Sequence, residues 1–454
     1  MPLTKQIINS KTKTNQASKT LSVTKTSYNY TVVNRFLRYV QIDTASDPNA
    51  NTFPSTQKQL NLQRILYQEL LDLGLQEVTL DEFGYVTATL PSNGPKPDLP
   101  TIAFLAHVDT SSSVNSENVK PIIHPNYQGQ TIRLPANPEL KNMLGYDLIT
   151  SDGSTLLGAD DKCGVAAIMD ALNFLVTHPE VPHTTIKVCF NPDEEIGRGM
   201  DKLDLNQFQA DFAYTLDGPG IGLLEIENFN AAQMKITFFG RNYHPGYAKN
   251  RLVNSLKIAS EFISSLPKKL APENSHKRQG YIHPLEIQGN EEQTTVSLIL
   301  RDFTVEGLQY YRHLVQSLAQ KASSQYPGSQ VQLSYTDQYQ NMLTNLQQHP
   351  EVIQRAIKAY KKLGIKPKLG YIRGGTDGVH LSNRGLPCPN LSCGQHNIHS
   401  KTEWTSEQEL QTTVDLRSEE HTSELQSLTN TKTCLLVYNN TRRSSNVPCE
   451  PTKN

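Results

Sequence analysis

The apolar and polar positions of the first half of the chain alternate between helical spacing and short continuous apolar runs. Helical spacing predicts helices over residues 31–39 and 55–73. Continuous apolar runs are typical of strands that are covered on both faces of a sheet. These runs lie at 86–90, 101–110, 184–190 and 212–218, with a further helical pattern at 165–176. The alternation of buried strands and helices predicts an α/β domain with a largely parallel sheet.

The pattern changes after residue 228. Half-exposed strands are predicted at 231–240, 294–303 and 330–339, and amphipathic helices at 250–266 and 306–325. A helix at 349–364 and a buried strand at 385–392 return to the style of the first half. We therefore predict one α/β domain formed by residues 29–228 and 341–416, interrupted by a smaller α+β domain at 229–340.

The two ends of the chain differ in composition from the rest. Residues 1–28 are rich in Ser, Thr, Lys and Asn, so we expect a disordered extension. A targeting signal is the alternative, although such signals favour Arg and the extension has none. The segment 417–427, RSEEHTSELQS, matches the translation of a widely used sequencing-adapter oligonucleotide. We therefore predict that 417–454 is a non-native tail.

Charge and cysteine content exclude several classes of protein. The 43 basic and 44 acidic side chains nearly balance, so no nucleic-acid partner is indicated. No apolar run is long enough to span a bilayer, so we expect no membrane association. Six cysteines scattered over 454 residues do not form a disulfide framework, and a cytoplasmic location is the natural expectation.

Acidic and histidine side chains recur where predicted strands end or helices begin. Each has a structural explanation on its own: a strand-end histidine is commonly structural, one aspartate can cap a helix, and three consecutive acids can lie in a solvated loop. Ligands in such sheets, however, bind beyond the carboxyl ends of the strands, which share one edge. The candidates are His107 and Asp109, Asp160 and Asp161, Asp193, Glu194 and Glu195, Asp217, and His396 and His399.

Taken together, these residues have the composition of a two-metal hydrolase. Two imidazoles and three carboxylates can hold two divalent ions, with one carboxylate shared between them. A further glutamate then remains available as a general base. Structural binding of calcium by the acidic run is a poorer alternative, because hard cations rarely recruit two histidines.

Longer motifs carry a family resemblance. The segments HVDT, TLLGADDKCG, NPDEEIG, TLDGPGIGLLEIENFNAA, YHPG, LRDF and IRGGTDG resemble the tripeptide aminopeptidases of the co-catalytic di-zinc exopeptidase family, which also contains carboxypeptidase G and the aminoacylases. The resemblance extends from about residue 30 to 416, and it implies a closing helix that starts at Ser406 and stops near Leu416, where the adapter-like sequence begins. It implies that the α/β domain is catalytic, that the inserted domain is a lid, and that each subunit binds two zinc ions and acts on tripeptides.

The resemblance also implies residue roles. His107 and Asp217 would hold one zinc ion, Glu195 and His399 the other, and Asp160, followed by a cis peptide bond, would bridge both. Asp109 would orient His107, and Glu194 would be the general base. His244 would come from the lid to stabilise the oxyanion. Arg301 and Arg373 would bind the peptide carboxylate.

One departure from the family pattern leaves an alternative open. The segment before the last ligand reads Cys393-Gly394-Gln395-His396-Asn397-Ile398-His399, where the family has Gly-Gly-Tyr-Asn-Tyr-His. The Asn-x-His match places the ligand at His399, with His396 as the alternative.

Three functions are compatible with these residues. The leading hypothesis is a zinc aminopeptidase that releases the N-terminal residue of tripeptides. The alternative within the family is a related di-zinc amidase, either a dipeptidase or an N-acyl amino-acid hydrolase. A non-catalytic metal-binding scaffold is disfavoured because Glu194 is present. Members of the family are often dimers through the inserted domain, so a homodimer is possible.

Overall fold

The computed structural model describes residues 28–94, 99–132 and 138–422. The predicted extension, apart from Tyr28, and the tail beyond Thr422 lie outside these residues. The helices are α1 Val32–Val40, α2 Gln59–Asp72, α3 Ala159–Thr177, α4 Leu205–Phe208, α5 Ser255–Ser265, α6 Val305–Ser324, α7 Leu343–Leu346, α8 Pro350–Lys362, α9 Asp377–Asn383 and α10 Glu407–Thr422.

The strands are β1 Gln76–Leu80, β2 Val86–Leu90, β3 Ile102–His107, β4 Ile122–His124, β5 Leu148–Thr150, β6 Ile186–Asn191, β7 Phe212–Pro219, β8 Leu223–Asn228, β9 Asn230–Phe239, β10 Tyr281–Gly289, β11 Gln293–Asp302, β12 Gln330–Tyr339, β13 Lys368–Ile372, β14 Asn390–Gln395 and β15 Trp404–Ser406. They form an eight-stranded, a four-stranded and a three-stranded sheet.

The eight-stranded sheet confirms the predicted α/β class. Its strand order is β1-β2-β6-β3-β7-β14-β8-β13. The central strands β6, β3, β7 and β14 are parallel to one another, and β13 is parallel to β8. Three neighbouring pairs are antiparallel: β1 with β2, β2 with β6, and β14 with β8. Every residue of β3 is buried, and α3 packs against it. The apolar runs of the sequence are therefore the covered central strands.

Parallel pairing brings the carboxyl ends of the central strands to one edge. His107, the last residue of β3, pairs with Asn191, the last residue of β6. Asp217 lies near the end of the next strand, β7. Polar side chains that follow these strands therefore lie close together, although they are far apart in the sequence.

The inserted segment has its own sheet and core. Its strands have the order β10-β11-β9-β12 with antiparallel pairing throughout, and α5 and α6 pack on the sheet. The sequence analysis overlooked β10, which is an edge strand containing Pro284. Proline is tolerated there because an edge strand has an unpaired side, and the register shifts next to it, between Pro284 and Glu286.

Two other elements differ from their predicted limits. The strand predicted at 385–392 begins at Asn390, after Pro387 and Pro389, neither of which has an N–H to donate to the sheet. The helix predicted to stop near Leu416 continues to Thr422 as α10, so that expectation was wrong. Across the described ranges, no helix combines the length and apolar character needed to cross a bilayer.

Candidate metal centre and active site

The first group of potential metal ligands consists of His107, Asp160 and Asp217. The Nε2 atom of His107 lies 3.0 Å from Asp160 Oδ1 and 3.7 Å from Asp217 Oδ1. All three residues offer a ligand atom within 4.8 Å of the others. His107 and Asp217 reach this position from the ends of β3 and β7, as the strand pattern predicted.

The second group consists of Asp160, Glu195 and His399. The Nε2 atom of His399 lies 3.1 Å from Asp160 Oδ2 and 2.8 Å from Glu195 Oε2. Asp160 therefore directs one carboxylate oxygen to each group. This is the arrangement that a carboxylate shared between two metal ions requires.

A buried glutamate holds the backbone that presents Asp160. The carboxylate of Glu403 accepts hydrogen bonds from the backbone N–H groups of Leu157, Gly158 and Asp160, at 2.7, 2.7 and 2.9 Å. The peptide bond between Asp160 and Asp161 is cis, as the family resemblance implied. Burial raises the pKa of Glu403 to about 7. Glu403 is not among the site residues predicted from the sequence.

Asp109 connects the ends of two strands. Its carboxylate accepts hydrogen bonds from the backbone N–H groups of Glu194 and Glu195, at 3.0 and 3.2 Å. One of its oxygens also lies 3.4 Å from Nδ1 of His107, and its backbone carbonyl lies 3.0 Å from the same nitrogen. A proton on Nδ1 satisfies these acceptors and leaves Nε2 free to bind a metal.

The three consecutive acids occupy different environments. Asp193 is fully buried and accepts hydrogen bonds from the backbone of Ser55, at 2.7 Å, and from the side chain of Gln59, at 2.7 Å. Its backbone is left-handed, with φ of 60°. Asp193 thus fixes the turn, whereas Glu194 and Glu195 face the cavity described below.

The carboxylates crowd one another. Burial, together with the charge of Asp160, raises the pKa of Glu195 to about 7 and that of Asp217 to about 6. Burial also holds the pKa of Glu194 well above its ordinary value, and the charges of Asp217, Asp377 and Glu195 add to the effect. Within the described part of the chain, Glu195 Oε1 is buried without a hydrogen-bond partner. The orphaned oxygen and the mixed imidazole and carboxylate donors fit a pair of divalent cations.

A cavity of about 450 Å³ opens beside the two ligand groups. We call it the central cavity. Its lining residues are Asp160, Glu194, Glu195, Asp217, Pro219, Glu225, Tyr371, Ile372, Arg373, Gly375, Thr376, Asn390, Gln395, His396, Asn397, Ile398 and His399. The cavity is large enough for a short peptide, and it places the carboxylate of Glu194 next to the potential metal ligands.

The predicted substrate-binding arginines lie in different places. Arg373 lines the central cavity, and its guanidinium donates to the carbonyl of Gln279 at 3.0 Å and to the hydroxyl of Ser275 at 2.7 Å. It therefore joins the main domain to the inserted segment. Arg301 donates to the carbonyls of Ala232 and Leu300 and does not line the cavity.

His244 is not part of the cluster. It is exposed on the inserted segment, and its Nδ1 accepts a hydrogen bond from the backbone of Gly246 at 3.1 Å. Its ring lies beside that of Tyr247. It is not among the residues that line the central cavity.

The geometry separates the two candidate histidines after β14. The ring of His396 stacks on Trp404 with centroids 3.8 Å apart, and its Nε2 lies 3.0 Å from Glu409 Oε1. His399, in contrast, contacts Asp160 and Glu195. The imidazole of His396 is thus engaged away from the ligand groups.

Two further buried carboxylates were not singled out by the sequence analysis. Asp377, at the start of α9, accepts a hydrogen bond from the side chain of Asn191 at 2.6 Å, and burial raises its pKa to about 7. Glu225 lies in β8 and lines the central cavity. Both lie inside motifs that carried the family resemblance, and the acid in the middle of the apolar stretch GLLEIEN was the available signal for Glu225.

Comparison with known proteins identifies relatives of this chain. The chain is 47% identical over 385 residues to Peptidase T of Geobacillus sp. (strain WCH70), covering 83% of this chain and 94% of that protein. It is 46% identical over 385 residues to Peptidase T of Bacillus subtilis (strain 168), again covering 83% of this chain and 94% of that protein. Both relatives are matched over nearly their whole length.

Solved structures share the fold. Aminopeptidase PepT from Bacillus cereus ATCC 10987 is similar with a TM-score of 0.68 at 23% identity, over 87% of this chain and 98% of that chain. The YXEP protein of Bacillus subtilis, described as a dinuclear metal-binding peptidase from the M20 family, has a TM-score of 0.59 at 14% identity, over 87% of this chain and 97% of that chain. Residues 138–418 match the family model described as Peptidase family M20/M25/M40. The chain therefore belongs to peptidase family M20/M25/M40.

Proposed function

We propose that this protein is a zinc-dependent aminopeptidase that releases the N-terminal residue of tripeptides. The observation that carries the proposal is the position of Asp160 between two ligand groups, with one oxygen directed at His107 and the other at His399. The identity of 46 to 47% with proteins named Peptidase T supports the peptidase activity. Zinc binds well to combined imidazole and carboxylate ligands, and it is the metal we propose here.

Each proposed metal ligand has a defined place. His107 and Asp217 would hold one ion, and Glu195 and His399 would hold the other. Asp160 would bind both ions. When bound, the two ions would polarise the scissile carbonyl and lower the pKa of water. The positive charges would also offset the burial and the charge of Asp160, which together raise the pKa of Glu195 and Asp217.

Glu194 is the proposed general base. Its backbone is fixed by Asp109, and its side chain lines the central cavity. Its carboxylate would accept a proton from the attacking water and donate it to the leaving amine. The raised pKa suits a group that must both accept and return a proton near neutral pH.

Substrate-binding roles complete the proposal. Arg373 lines the cavity, and its guanidinium would bind the C-terminal carboxylate of a peptide. Arg301 and His244 would contribute only after the inserted segment moves towards the cavity, where His244 would stabilise the oxyanion.

We extend the proposal to location and assembly. The four cysteines that the structure describes, Cys163, Cys189, Cys388 and Cys393, are buried and free, which is compatible with a cytoplasmic location. The edge strand β10 exposes Leu285 and Ile287, and an exposed apolar edge is suited to pairing in a homodimer.

A small substrate panel tests the function. The metal-loaded protein is expected to convert trialanine to alanine and dialanine, faster than it cleaves dialanine, tetra-alanine or N-acetylalanine. With alanyl-glycyl-leucine as a second tripeptide, product identification by chromatography distinguishes N-terminal release of alanine from C-terminal release of leucine. Hydrolysis of N-acetylalanine alone would instead identify an N-acyl amino-acid hydrolase, and preferential cleavage of dialanine would identify a dipeptidase.

A further inference from the structure

One carboxylate of the central cavity has no role in the proposed metal site. Glu225 lies in the interior of β8 and is only 7% exposed. Its side chain nevertheless lines the cavity, together with Glu194 and Asp217. A buried carboxylate that faces a cavity is costly unless a partner offsets its charge.

Asn390 fixes the orientation of this carboxylate. The side-chain carbonyl of Asn390 accepts hydrogen bonds from the backbone N–H of Asp217 and from the hydroxyl of Thr215, both at 3.0 Å. The amide nitrogen must therefore point the other way, where it donates to Glu225 Oε2 at 2.8 Å. A single side chain thus connects Glu225 to a proposed metal ligand.

The surroundings of Glu225 leave its charge uncompensated. Burial raises its pKa to about 7, the hydrogen bond from Asn390 opposes this, and the negative charge of Asp217 raises it further. Within the described ranges, the amide of Asn390 is its one hydrogen-bond donor. The site therefore favours an incoming cation with N–H donors, which an ammonium group provides.

The register of β8 and β13 separates Glu225 and Arg373 along the strand direction. Glu225 pairs with Gly370 of the neighbouring parallel strand β13, and Arg373 follows three residues later. Three residues along a strand span about 10 Å. An extended tripeptide also spans about 10 Å. An ammonium group at Glu225 and a carboxylate at Arg373 would accordingly be the two ends of one tripeptide.

We propose that Glu225 binds the ammonium group of the substrate's free N-terminus and so selects unblocked peptides. This inference rests on the proposed aminopeptidase function. It assigns to the protein itself a recognition step that a metal ion would otherwise have to perform.

The test compares Glu225→Gln with the wild-type protein on two substrates. One is trialanine; the other is propionyl-dialanine, which has hydrogen in place of the first α-amino group. Loss of a charge-assisted hydrogen bond is expected to lower kcat/KM for trialanine by at least about tenfold. The value for propionyl-dialanine is expected to change by less than about twofold, because that substrate has no ammonium group.

Controls separate binding from structure. Glu351→Gln removes one charge from the exposed surface of α8 and is expected to change neither value. Glu225→Gln is expected to retain the metal content and the thermal stability of the wild type, since a neutral amide is easier to bury. Glu225→Asp retains the charge and is expected to keep part of the preference for trialanine, which provides a second variant if the first folds poorly.

The outcomes distinguish this inference from the proposed function. If the wild-type protein does not cleave trialanine, the aminopeptidase function is wrong. If it does, but Glu225→Gln lowers kcat/KM equally for both substrates or for neither, the ammonium-binding role of Glu225 is overturned. An unchanged preference for trialanine in both Glu225 variants would assign amine recognition to the metal ions.

Discussion

The two larger sheets of this protein contribute to the site in different ways. The eight-stranded sheet ends in His107 and Asp217, whose ligand atoms already lie within 4.8 Å of each other. The four-stranded sheet of the inserted segment belongs to the unit that carries His244 and Arg301, neither of which lines the central cavity. The difference shows that the proposed metal ligands are brought together within the main domain, without a residue of the insert. The contribution of the insert depends on how two units lie relative to each other.

Replacing the shared ligand, Asp160 of the main domain, is expected to have the largest effect on turnover. Asp160→Asn removes a charge from both ligand groups, so turnover of trialanine is expected to fall by at least about 10³-fold. Elemental analysis is expected to show fewer than two metal ions per chain. Asp72→Asn, at the exposed end of α2, is the matched control. Two retained ions with normal turnover would show that Asp160 is not the shared ligand.

Replacing His244 tests whether the inserted segment contributes to catalysis. His244→Ala is expected to lower kcat by about 10²- to 10³-fold, because one donor to the developing oxyanion is lost. Metal content and thermal stability are expected to stay the same, since His244 is exposed. His276→Ala, at another exposed histidine of the insert, is expected to have no effect on kcat. Equal turnover of the two variants would confine catalysis to the main domain.

The sequence predicted the ligands at the edge of the eight-stranded sheet more fully than the other residues of the site. His107 and Asp217 follow apolar strands, and parallel strands end at one edge, so their proximity could be inferred without coordinates. Glu403 could not be found in this way. It lies 243 residues from Asp160 and binds backbone N–H groups, which no side-chain pattern marks. The position of His244 depends on the packing of two units, which periodicity does not determine.

Replacing the two arginines is expected to have a smaller effect, on KM for the substrate. Arg373→Ala is expected to raise KM for trialanine by about 10- to 100-fold, because a charged hydrogen-bond partner of the substrate is lost. The increase should be much smaller for trialanine amide, which has no terminal carboxylate. Arg301→Ala is expected to change KM less, because Arg301 does not line the cavity. The reverse order would mean that the insert closes before the carboxylate is bound.

The smallest expected effect on activity concerns His396. His396→Ala removes a ring that stacks on Trp404 and is expected to cost about 1–3 kcal/mol of stability, measured by chemical denaturation. Both metal ions and most of the turnover should remain. His399→Ala is expected to lose one ion and nearly all turnover. If His396→Ala instead lost the ion and the turnover while His399→Ala kept them, the metal ligand would be His396 and not His399.

Paired measurement of metal content and trialanine turnover in Glu194→Gln tests whether metal binding and proton transfer are carried by different residues. Glu194 is proposed to transfer the proton, and five other residues are proposed to bind the metal ions. The variant is therefore expected to keep two ions per chain and the wild-type stability, while kcat falls by about 10²- to 10⁴-fold. A variant that keeps both its ions and its turnover would contradict the proposed mechanism.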